Sequence, residues 1–132
     1  MSVHYSIQPA ENRIHTTCAG FVTVEEVREH FAALAADPAF RPALDVLLDL
    51  TPCTSLPTPD DLRGVVATIQ ALGPQRPFGA CAIVADRDAL FGMSRIFEVY
   101  AQHAFTALRV FRSTTDAVNW LAARTVTRAS VE

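Results

Sequence analysis

The sequence predicts an α/β fold with element order ββαβαβαβα, a mixed five-stranded sheet with an antiparallel first strand and helices mainly on one face. Three observations carry this. Two short runs, Asp45–Leu50 and Ala80–Ala85, are almost wholly apolar, as strands buried on both faces of a parallel sheet are. Helical stripes alternate with these strands, which calls for parallel strands joined by right-handed crossovers. The chain opens instead on a period-2 pattern interrupted by a turn, the mark of a hairpin.

Val3-His4-Tyr5-Ser6-Ile7-Gln8 alternates apolar and polar residues, and Arg13–Ala19 forms the second strand after a turn at Pro9–Asn12. Asn12 is suited to a left-handed conformation there. Pairing Gln8 with Arg13 sets Ser6 opposite His15 and His4 opposite Thr17, leaving one polar, wet face. Thr23 and Glu26 form a capping box for a helix whose stripe is Val24, Val27, Phe31 and Leu34, ended near Asp37 by Pro38. Strand 45–50 follows. Thr58 caps the second helix, with Pro59, Asp60 and Asp61 in its first turn. Its stripe is Leu62, Val65, Val66, Ile69 and Leu72, and Gly73-Pro74 stops it. After strand 80–85, a third helix starts at Asp86 or Asp88 and runs to about Ala104, with Leu90, Met93, Phe97, Tyr100, Ala101 and Ala104 on its main stripe. Ala107–Phe111 is the last strand. Thr115 caps a final helix from Asp116 to about Arg124, burying Val118 and either Trp120 or Leu121, and 125–132 is expected to be a flexible tail.

The 132 residues suit one domain, taken as 1–132, and a hydrophobic half with mean hydropathy +0.20 supplies a core. No apolar run approaches the ~20 residues of a membrane span, and no leader is visible, so a cytoplasmic setting is expected. The 11 basic residues are all Arg and scattered, and net charge is −3, which argues against a nucleic-acid surface. Cys18, Cys53 and Cys81 lack metal-ligand or redox spacing and read as buried free thiols of a reducing compartment. No catalytic signature stands out, and neither a cofactor nor a metal site is expected: His4 and His15 are neighbours on the polar face, but a stable site wants three or four ligands. His30 and His103 read as surface or boundary residues of helices. Cys53, in a loop near a helix start, is the sole candidate for a reactive thiol.

Several pieces, taken in order, resemble the STAS domain (sulfate transporter and anti-sigma-factor antagonist), and more closely its SpoIIAA-like branch. They are Val3–Ile7, Leu47-Leu48-Asp49-Leu50-Thr51, Ala82–Ala85, Phe91-Gly92-Met93-Ser94-Arg95-Ile96-Phe97-Glu98, Arg109–Phe111 and Ala117–Leu121. The resemblance implies a STAS-like fold and a regulatory, non-enzymatic module that binds a protein partner. In the antagonists, a Ser in the loop after the equivalent strand is phosphorylated. The matching stretch here, Thr54-Ser55-Leu56-Pro57, keeps the hydroxyls but not the preceding Asp or the Gly.

Two candidate sites follow. The first is the loop after the central strand, with Asp49, Thr51, Thr54, Ser55 and Thr58 as switch or ligand-contact residues. A phosphate there would sit at a helix N-terminus. The alternative is that these hydroxyls cap and turn the chain and that Asp49 accepts hydrogen bonds from loop amides. The second is the edge Phe91, Arg95 and Val99 of the third helix, as the contact of a homodimer or protein partner unless the final helix or tail covers it. The apolar surplus of that helix supports an alternative function, carriage of a lipid or small apolar ligand at or near a membrane.

Overall fold

The computed structural model describes residues 2–72 and 77–131, the side chains of 125–131 excepted. Its elements are β1 (Val3–Gln8), a 3-10 turn (Pro9–Glu11), β2 (Arg13–Cys18), α1 (Val24–Ala36), β3 (Leu44–Asp49), α2 (Pro59–Ala71), β4 (Phe78–Val84), α3 (Asp88–Tyr100), β5 (Ala107–Phe111) and α4 (Thr114–Val131). One sheet has the strand order β1-β2-β3-β4-β5, antiparallel between β1 and β2 and parallel thereafter. The α/β class, the mixed sheet and the order ββαβαβαβα are those read from the sequence. So is the hairpin register, which pairs Gln8 with Arg13, Ser6 with His15 and His4 with Thr17. Asn12 closes the turn at φ 53°, ψ 46°, the left-handed geometry that Asn tolerates.

Parallel strands laid down in sequence order send every crossover helix to the same face. The core there draws on Ile14, Val46, Cys81, Ile83 and Val110 from the strands, Phe31 and Leu34 from α1, Val65 and Ile69 from α2, and Phe97 from α3. The last helix follows the last strand and is free of that rule. It takes the opposite face, where Ala117 and Leu121 pack on Leu47, Ala80, Ala82 and Val84. The small alanines of β4 let it lie close. On the same face, the hairpin half carries exposed His4 and Ser6 and half-buried His15 and Thr17.

Several boundaries differ from the sequence reading. β3 and β4 begin one and two residues earlier than expected, because flanking Leu44 and Phe78 also bury their side chains. α3 ends at Tyr100, not Ala104: Ala101 leaves helical geometry and the chain turns to seat Phe105 against Phe78, with ring centroids 5.7 Å apart. Arg87, not an Asp, stands at its N-cap. Ser113, not Thr115, caps α4, its hydroxyl accepting from the Asp116 amide at 3.4 Å. In a run of three hydroxyl residues, the first to meet the turn caps it. α4 continues past Arg124 to Val131. The expected stop at Gly73-Pro74 and any flexibility of 125–132 fall outside the described residues and side chains.

Asp45 is fully buried in β3, and its Oδ1 accepts the Ala80 amide at 2.8 Å, across a bulge where the β3–β4 register shifts. Gly79 sits at that shift, and a Cβ there would strike Asp45 Oδ1 and stand 2.7 Å from the Ala43 carbonyl oxygen. Gly79→Ala should therefore lower unfolding free energy by about 2 kcal/mol, the usual cost of overpacking. Urea midpoints measure it, and a neutral result would mean that the β3–β4 bulge yields freely.

Candidate functional site

The carboxyl ends of β2, β3 and β4 open between the amino-terminal turns of α1 and α2 and the flank of α3. They enclose a cavity of about 330 Å³, at the lower end of the range for small-molecule sites. Its walls are mostly apolar: Val27 and Phe31 of α1, Leu48 of β3, Leu62 and Val65 of α2, Leu90, Met93 and Phe97 of α3. Phe21 and Leu56 stand at its rim, 72% and 50% exposed.

Two loops form the mouth. Gly20 and Cys53 make an isolated parallel bridge, with the Gly20 amide donating to the Pro52 carbonyl and the Thr54 amide to that of Gly20. The Ser55 hydroxyl accepts the Val22 amide at 3.0 Å and donates to the Val22 carbonyl at 2.9 Å. Arg87 Nη2 donates to the Ser55 carbonyl from outside at 2.9 Å. The loop after β3 is thus fastened both to the segment before α1 and to the start of α3.

This arrangement separates the hydroxyl residues grouped from the sequence. Thr51 donates its hydroxyl and its amide to Asp49 Oδ1, at 2.7 and 2.9 Å. Thr58 accepts the Asp61 amide, and Asp61 returns a bond to the Thr58 amide, closing a capping box like that of Thr23 and Glu26. Ser55 faces inward to Val22 and Thr54 lies exposed. These groups serve three local structures, with Thr54 turned to solvent, and do not converge on one point. The second candidate set also divides. Phe91 is half-buried with the Arg112 guanidinium 4.2 Å from its ring centroid, so the residue after β5 covers it; the side chains of the tail lie outside the described residues. Arg95 pairs loosely with Glu98 at 3.5 Å, and Val99 is 62% exposed.

His30 is the residue that sequence reading misplaced. It is buried, against Thr16 Oγ1 at 3.3 Å and between the rings of Tyr5 and Phe31 at 5.3 and 5.1 Å. Its position three residues after Val27 and four before Leu34 put it on the apolar stripe, which is the signal that would have found it. Burial pushes its pKa down to about 4, so the ring is neutral at physiological pH. Burial, aided by Cys53, Asp49 and Glu26, pushes the Cys18 thiol up to about 12. Cys53 is itself buried, its Sγ 3.4 Å from the Ser55 hydroxyl. Among the described residues, no three His, Cys, Asp or Glu are grouped to hold a metal ion, and no helix is long and apolar enough to cross a membrane.

No family model matches the chain, and no curated protein matches it in sequence. Among solved structures, it is similar to an uncharacterized protein of the DUF3478 family with a SpoIIAA-like fold from Shewanella loihica PV-4. The TM-score is 0.60 at 17% identity, over 91% of this chain and 94% of that one. It is also similar to an anti-sigma factor antagonist from Mycobacterium paratuberculosis, at a TM-score of 0.57 and 18% identity, over 91% and 94% of the two chains. The fold is SpoIIAA-like.

The neutral His30 has a consequence for stability. Its folded pKa lies below its ordinary 6.5, so the unfolded chain takes the proton first. Stability is complete above about pH 6.5 and falls as pH drops toward 4, by up to about 3 kcal/mol. His30→Leu should flatten that part of the curve. Urea unfolding of both proteins across the window checks it, and parallel curves would refute the assignment.

Proposed function

We propose that the chain is a single-domain, non-enzymatic, cytoplasmic binding module whose site is the cavity between the sheet and α1, α2 and α3. Its ligand is a small apolar molecule. The observation that carries this reading is the cavity itself, apolar-walled, of ligand size, and opening at the carboxyl ends of parallel strands where α/β folds place their sites. The side chains around it support binding over catalysis. The Cys18 thiol is held protonated, and Cys53 is buried beside Ser55 without an imidazole base among its hydrogen-bond partners. Three buried free cysteines suit a reducing compartment.

Native mass spectrometry of freshly purified protein should show a bound small apolar molecule or take one up at one per chain. Val27→Trp, which fills the cavity from the α1 wall, should weaken that binding roughly tenfold or more. A wild-type protein that stays empty, or a variant that binds as well as wild type, would overturn the reading.

A second reading is favoured by exposed apolar surface. Phe21 and Leu56 at the rim, and Val99 beside Arg95 on α3, suit contacts with a protein partner or a second copy. This is the regulatory role suggested by the similarity to an anti-sigma factor antagonist. Phe91 is the wrong residue for its test, because it packs into the core beneath Arg112. If α3 is the contact, Val99→Glu should reduce a dimeric mass in light scattering to that of the monomer with little change in melting temperature. An unchanged mass would remove α3 as the interface.

A further inference from the structure

We propose that the cavity selects uncharged ligands, apolar molecules carrying at most a hydroxyl or carbonyl, and rejects carboxylates and sulfonates of the same shape. This rests on the cavity being a ligand site and specifies what enters it. The argument is electrostatic. Among the described residues the lining contains no Arg, and the chain contains no Lys. Its ionisable groups are His30, Asp61, Cys18 and Cys53. His30 is buried among Thr16, Tyr5 and Phe31 and offers a neutral ring. Asp61 is an acidic residue at the mouth, so an entering anion meets like charge and no countercharge. A buried unpaired carboxylate is costly enough that binding would have to neutralise it first.

Helix N-termini are the usual remedy for a missing cation, and α1 and α2 both present theirs here. Both carry a capping carboxylate, and α3, whose N-cap makes no side-chain hydrogen bond, has Asp88 in its first turn. Glu26 accepts the Thr23 amide at 3.1 Å, and Asp61 accepts the Thr58 amide at 3.0 Å. The helix dipoles thus have their carboxylates before any ligand arrives. The arginines on this side are also engaged away from the cavity: Arg28 with Glu25 at 3.0 Å, Arg63 with Asp60 at 2.7 Å, and Arg87 with the Ser55 carbonyl at 2.9 Å. Besides Asp61 and the two cysteines, the polar side chains of the lining are neutral: Thr16, Thr23, His30, Ser55 and Ser94. They suit one alcohol or ketone oxygen within an otherwise hydrocarbon molecule.

Two dyes with nearly the same ring system make the test: neutral N-phenyl-1-naphthylamine and anionic 1-anilinonaphthalene-8-sulfonate, titrated by fluorescence near neutral pH. The neutral dye should bind at least about tenfold more tightly. Decanol should displace it, and decanoate should need at least about tenfold higher concentration. Met93→Arg, which adds a guanidinium to the α3 wall, should recover most of the lost affinity for the anionic dye. Leu56→Arg at the exposed rim serves if the first variant melts early. Equal binding of the two dyes, or no gain from an added Arg in a folded variant, would overturn the selectivity while leaving the cavity as the site. Failure of both dyes and of decanol to bind would instead overturn the cavity reading beneath it.

Discussion

Four parallel strands in sequence order leave the crossover helices one face to occupy, and the rest of this molecule follows from that constraint. α1, α2 and α3 share the face, each presenting an apolar stripe to the same sheet. Their amino-terminal ends gather at the carboxyl ends of the strands, where loops and not strands must close the gap. A cavity remains there between the strand ends and the apolar side chains of the three helices. The opposite face receives a single helix, the one element with no strand to return to. It packs on β3 to β5, while His4 and Ser6 of the hairpin stay exposed.

The loop after β3 closes this cavity by hydrogen bonding more than by packing. Ser55 clasps both backbone groups of Val22, Arg87 holds the Ser55 carbonyl, and Thr51 is tied back to Asp49. A loop so fastened is a fixed wall of the cavity. Thr54 is the hydroxyl it turns outward. The two capping boxes at the mouth have a second effect beyond starting helices. By supplying Glu26 and Asp61 to the helix ends, they remove the positive ends that would otherwise attract an anion. The side chains that start the two helices therefore also set the charge at the mouth of the cavity.

Much of the fold was legible in the sequence because its signals are local. The hairpin register followed from alternation and one turn residue, the Thr23–Glu26 capping box from a four-residue window, and the Thr58 cap from the Pro and acidic residues after it; that Asp61 closes a second box came only from the structure. The two interior strands followed from runs that no solvated element would tolerate. The errors share a cause. Asp45 drew no reading of its own from the sequence, yet it is wholly buried and holds the Ala80 amide across a bulge, a partner 35 residues away. The extent of α3 was misread because Phe105 is drawn toward Phe78, a distant demand that ends the helix early. Phe91 was read as surface because Arg112 does not announce itself as its cover.

The sequence by itself determined the α/β class, the element order, the hairpin pairing and the starts of α1 and α2. These depend on periodicity and on contacts between residues a few positions apart. Only the tertiary structure decided where the cavity lies. The cavity walls come from β2, β3, β4 and three helices, and no local pattern records that their residues leave a space between them. It also decided that the loop's hydroxyls are fastened in different directions and that His30 lies inside and uncharged. A residue's charge state and its access to a ligand are set by what surrounds it in space, and those neighbours are far from it in the chain.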